Sequence, residues 1–105
     1  MKDTIEYQIF IGCNDSQLKR EVISIEELIE VLTFYFEQKK INFTLFRATG
    51  GYHNSDDWYI TENSLCINII GPSDLDIIKL SKGVSMIMNQ EHSLIVKNKV
   101  VQEFN

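Results

Sequence analysis

Ile5, Tyr7, Ile9, Ile11 and Cys13 alternate with Glu6, Gln8, Phe10 and Gly12, a two-residue period that sets the first element as a strand with its odd residues toward a core. Asn14-Asp15-Ser16 closes it with turn chemistry, and the polar stretch Gln17–Val22 carries no periodicity. At Ser24 the period changes. Ser24-Ile25-Glu26-Glu27 is a capping box, and Ile25, Leu28, Ile29, Leu32 and Phe36 follow at helical spacing, predicting a helix over 25–39. Val31, Phe34 and Tyr35 widen its apolar surface, so it is expected to be deeply buried or to meet a partner.

Asn42–Ala48 reads as a second strand, with Phe43 and Leu45 on one face and Phe46 and Ala48 on the other. The Gly50-Gly51 pair is expected to break or bulge it, and 53–57 is a turn. Trp58–Ile70 returns as a strand with apolar residues on both faces, the mark of a central position. Gly71-Pro72 stops it. Ser73 is expected to cap a helix carrying Leu75, Ile77, Leu80, Val84 and Met88, which Gly83 weakens. Ser93–Phe104 is strand-like again, with a shift of parity that predicts a bulge or a second hairpin near Asn98-Lys99. The order β-α-β-β-α-β is the ferredoxin-like pattern: an α+β domain with four antiparallel strands, two helices on one face, and strands one and three in the middle.

Composition bounds the function. The 105 residues suffice for one domain with a real core. A formal charge of −5, with no basic run longer than Lys39-Lys40, argues against a nucleic-acid polymer as partner. No apolar run is long enough to span a bilayer, and the opening residues lack the apolar segment of a secretory signal. Cys13 and Cys66 sit in apolar runs without metal-ligand spacing, so both are expected to be unpaired core thiols in a cytoplasmic protein. His53 and His92 fall on separate turns, and neither a metal nor another cofactor is expected. Abundant Ile, Asn and Lys beside only two Arg is the bias of AT-rich coding, as in an AT-rich bacterium or its phages.

Arg47 to Glu62 holds the only Trp, two of the four Tyr and an adjacent glycine pair, and it is the expected site. Thr49, Gly50 and Gly51 suit an anion held by backbone N–H groups with Arg47 as its charge partner, while Tyr52, Trp58 and Tyr59 suit a planar ring. The same residues also suit a bulge with cross-strand aromatic packing. His53 with Asp56 or Asp57 reads as a polar hairpin tip more readily than as a base and its orienting carboxylate. Glu62 and Asn63 either finish the site or cap the strand edge. On the sheet face away from the helices, Phe10, Phe46, Cys66 and Ile70 are expected to form the interface of a homodimer or higher oligomer.

The element order, the Gly50-Gly51-Tyr52 hairpin and the short length resemble the small oligomeric ferredoxin-like proteins of the PII and CutA-like group. That resemblance implies an oligomer with nucleotide or metal sites at subunit clefts. The chain also resembles small phage proteins, some of which sequester signalling nucleotides. Three functions compete on these readings. First is a non-enzymatic binding protein for a small, nucleotide-like or anionic ligand, with no catalytic residues. Second is a protein-interaction or inhibitor module. Third is an enzyme of the dimeric α+β barrel kind, using His53 or a tyrosine beside the sheet.

Overall fold

Alternation along the first strand decides which side of the sheet receives the helices. The computed structural model describes residues 4–53, 55–91 and 93–104; Asn54 and His92 lie outside the described residues. Its elements are β1 (Thr4–Gly12), α1 (Ile25–Gln38), β2 (Thr44–His53), β3 (Tyr59–Pro72), α2 (Ile77–Ile87) and β4 (Leu94–Lys99). They form one antiparallel sheet in the order β2-β3-β1-β4, the expected α+β ferredoxin-like arrangement with β1 and β3 central.

Tyr7, Ile9 and Ile11 of β1 pair with Ile69, Ile67 and Leu65 of β3, and all six are buried against the helices. Leu28, Leu32 and Phe36 of α1 and Ile77, Leu80 and Val84 of α2 complete this core. Each such side chain removed from water contributes roughly 1.5–3 kcal/mol before chain entropy is counted. The Tyr7 hydroxyl, buried with its ring, donates to the Pro72 carbonyl at 2.8 Å. On α1, Val31 and Phe34 remain exposed while Tyr35 is half-buried, so the widened apolar surface is only partly used within the chain.

Three expectations of local structure are corrected. Gly50 and Gly51 neither break nor bulge β2: pairing runs without a skip from Thr44↔Asn68 to His53↔Tyr59, and no glycine has a positive φ. The Tyr59 ring lies across Gly51; a Cβ there would sit 2.6 Å from the Tyr59 hydroxyl and push this exposed ring aside. The second helix begins after Asp76, not Ser73. Asp76 accepts from the Lys79 N–H at 3.1 Å, while the Leu75 N–H bonds the Pro72 carbonyl, so 73–76 is a turn continuing from a strand that runs through Pro72. Past Lys99 the chain neither bulges nor returns as a hairpin; 100–104 has no regular structure, and Val101 and Phe104 are exposed.

Gly83 has a packing reason. The Tyr35 side chain crosses α2 there and donates its hydroxyl to the Leu80 carbonyl at 3.1 Å, and a Cβ on Gly83 would overlap the ring. In an ordinary helix interior Gly→Ala gains about 1 kcal/mol, but overpacking costs about 1–3 kcal/mol. Gly83→Ala is therefore expected to lower the melting temperature followed by circular dichroism; a rise would show that Tyr35 moves aside freely.

Candidate functional site

The outer sheet face is graded along the strands. Near one end, Glu6 accepts from the Asn68 side-chain amide at 2.8 Å, among Gln8, Thr44 and Asn98. Next, Phe46, Cys66, Phe10 and Leu94 form one row across all four strands. Phe46 is 54% exposed and Ile70, two rungs away, 47%, while Cys66 is half-buried on this outer face and not in the core. Beyond the row come the small residues Ala48, Ser64 and Gly12, then Gly50 opposite Glu62, then Tyr52 opposite Ile60.

At the Gly12 end of this step lies a cleft of about 740 Å³, within the usual range for small-molecule sites. Its apolar lining is Phe10, Ile11, Tyr52, Ile60 and Leu94; its polar lining includes Asn14, Asp15, Ser16, Lys19, Ser55, Glu62, Gln90, Glu91 and Ser93. Glu62 is placed by two local facts. Its carboxylate folds over Gly12, where any Cβ would overlap it, and its Oε2 accepts from the Asn14 N–H at 3.1 Å.

The loop after β1 forms the opposite wall, and Asp15 organises it. One carboxylate oxygen accepts from the Gln17 and Leu18 N–H groups, each at 2.9 Å, and the other from the Asn89 amide at 2.6 Å. The Ser16 N–H donates to the Asn89 carbonyl, and the Gln90 amide donates to the Asn14 carbonyl. The unassigned stretch is thereby fastened to the end of α2. The Asn89 hydrogen bond, then those from Leu18 and Gln17, hold the Asp15 carboxyl below its ordinary range, with Arg20 adding to the effect.

The expected site residues do not converge. Arg47, Thr49, Gly51 and His53 lie on the helix-side face of β2, whereas Gly50 and Tyr52 lie on the outer face. The Arg47 guanidinium is held by Glu26 of α1 at 3.0 Å, away from the glycine pair. His53 and Tyr59 meet edge to face, with ring centroids 5.3 Å apart. Trp58, at the foot of the hairpin turn, is 70% exposed. Of the expected ligand-binding set only Tyr52 lines the cleft, joined there by Glu62, which the sequence offered as finishing the site or capping the strand edge. Buried Cys13 is a poor nucleophile, its thiol pushed up to about 11 by burial and then by Glu21 and Glu62. Among the described residues no three His, Cys, Asp or Glu side chains converge as metal ligands, and no helix is long and apolar enough to cross a membrane.

The fold has known neighbours. A phage SAM lyase in complex with S-methyl-5′-thioadenosine superposes with a TM-score of 0.70 at 19% identity, over 94% of this chain and 83% of that one. The phage SAM lyase in its apo state gives 0.65 at 21% identity, over 94% and 84%. The divalent ion tolerance protein CutA1 from Ehrlichia chaffeensis gives 0.64 at 14% identity, over 100% and 88%. No protein-family model and no curated relative matches the sequence.

At these identities the likeness shows the fold, and the CutA-like architecture expected from element order is among its neighbours. One expectation falls. The fold does not carry the reading as a non-enzymatic binding protein: a lyase shares it across 94% of the chain.

Asp15 gives a pH prediction. Its folded-state pKa is depressed, so its stabilisation is present at neutral pH and lost as pH falls from the ordinary carboxylate range through the lowered value. Asp15→Ala is expected to melt below wild type at pH 7 and to converge with it as pH drops below about 4. A gap independent of pH would remove the carboxylate from the role of loop fastener.

Proposed function

We propose that the chain is a lyase acting on an adenosyl sulfonium of the S-adenosylmethionine class, with its reaction centre in the outer-face cleft. The observation that supports this most is the placement of Glu62, seated over Gly12 in a cleft that also offers the Tyr52 and Phe10 rings. One neighbour with this fold is a SAM lyase in complex with S-methyl-5′-thioadenosine, the thioether left when the four-carbon amino-acid arm of S-adenosylmethionine departs.

The chemistry suits a site of this composition. The bond between sulfur and the amino-acid arm breaks, both electrons stay on sulfur, and a cation becomes a neutral thioether. The arm balances its charge by losing a proton or by closing on its own carboxylate, so water is not a reactant. A sulfonium is already a good leaving group, and rate comes mainly from orientation and exclusion of water.

The position of Glu62 then has a consequence. A carboxylate held against the sulfonium would stabilise the substrate more than a transition state that is losing its positive charge. Glu62 therefore serves better away from sulfur, accepting from the ribose hydroxyls through Oε1 while Oε2 stays on the Asn14 N–H. Tyr52, with Phe10 and Leu94 nearby, offers the surface for the adenine ring.

The outer face supports the further proposal of a homodimer or higher oligomer. The row Phe46, Cys66, Phe10 and Leu94, with Ile70 beyond it, presents apolar area that meets the cleft at Phe10 and Leu94. A second copy seated there would shield the cleft from water.

Incubation of the purified protein with S-adenosylmethionine is expected to release S-methyl-5′-thioadenosine, followed by chromatography with mass detection. Glu62→Gln is expected to lower kcat/KM by about ten- to a hundredfold, the range for losing a hydrogen bond to a charged acceptor. No release by wild type at any substrate concentration would overturn the lyase reading. Light scattering is expected to give a mass above one chain, and Phe46→Glu to shift it toward the monomer; a monomeric wild type at micromolar concentration would overturn the oligomer.

A further inference from the structure

The cleft is asymmetric in chemistry. Its sheet and hairpin side is apolar, while the side built by the loop after β1 is polar and contains Lys19, the one basic residue among the described lining. The other charged lining groups, Asp15, Glu62 and Glu91, are acidic.

Lys19 is held by its surroundings. Its backbone is left-handed, with φ of 59°, a conformation that side chains larger than glycine adopt rarely. Its N–H donates to the Asp15 carbonyl at 2.9 Å, inside the turn that the Asp15 carboxylate organises. Among the described residues no carboxylate pairs with its ammonium. A substrate that lays its adenosyl part on Tyr52 and Phe10 leaves its other end at the polar wall.

From this geometry we infer that Lys19 is a specificity-determining residue that reads the α-carboxylate of the substrate's amino-acid arm. The inference rests on the proposed lyase reading and deepens it: the site would take adenosyl compounds that keep the whole arm in preference to those lacking the carboxylate. An ammonium opposite a carboxylate in a partly enclosed cleft forms a charge-assisted hydrogen bond, and salt weakens it to the extent that water reaches it.

Calorimetric titration tests this with two unreactive probes sharing the adenosyl thioether. S-adenosylhomocysteine carries the amino-acid arm, and S-methyl-5′-thioadenosine does not. Lys19→Gln is expected to weaken S-adenosylhomocysteine about tenfold, or 1.4 kcal/mol, and to leave S-methyl-5′-thioadenosine unchanged. Lys19→Arg is expected to restore most of the loss, since the charge is kept. Equal weakening of both probes would overturn the inference by showing that Lys19 only shapes the loop. Unchanged affinity for both in Lys19→Gln would overturn it while leaving the lyase reading standing. Failure of wild type to bind either probe would overturn the lyase reading and this inference with it.

Discussion

The pleat of the paired central strands is the constraint on which everything else depends. β1 and β3 are matched residue for residue over nine positions, so every odd residue of β1 from Ile5 to Ile11 faces the helices and every even one faces away. A slip of one residue would put Phe10 and Cys66 into the core and Ile9 and Ile67 into water. The same pairing that buries Ile9 and Ile67 therefore brings Gly12 beside Ser64 and leaves room above them for the Glu62 carboxylate. Core and cleft are two sides of one register.

The helices fix that register from the face of the sheet opposite the cleft. Phe36 of α1 packs on Phe43 at 4.7 Å between ring centroids, anchoring the segment that leads into β2. The end of α2 supplies Asn89 and Gln90, which bind the loop after β1. A packed helix terminus thus sets the polar wall of a cleft on the far side of the sheet.

Much of the fold was legible because local patterns agreed with one another. Alternation in β1, the capping box at Ser24 and the helical spacing of Leu28, Leu32 and Phe36 all specify what the structure contains. The cleft was harder to read because its lining comes from β1, the following loop, the hairpin and residues 90–94, which only the sheet brings together. Treating Arg47–Glu62 as one site also overlooked the pleat, which sends Arg47 to Glu26 on one side and Tyr52 and Glu62 to the cleft on the other. Two signals were present. Gly12 in a strand with no turn demand marks close approach of another group, and Glu62 falls on the face that Phe10 and Cys66 make apolar. Neither identifies the other until β1 and β3 are aligned.

The hairpin of β2 and β3 outruns its neighbours. β1 ends against Ser64, with one further bond from the Cys13 N–H to the Asn63 carbonyl, yet β2 and β3 stay paired out to His53 and Tyr59. The outer part, with Tyr52 and Ile60, is a two-stranded ribbon standing clear of the sheet in a molecule 48 Å long and 28 Å wide. Such a ribbon has little stability of its own. Its amide hydrogens should exchange through local fraying rather than whole-domain unfolding. The aromatic wall of the cleft therefore stands on the part of the sheet with the fewest neighbouring strands, whereas Glu62 is tied at its root to the Asn14 N–H.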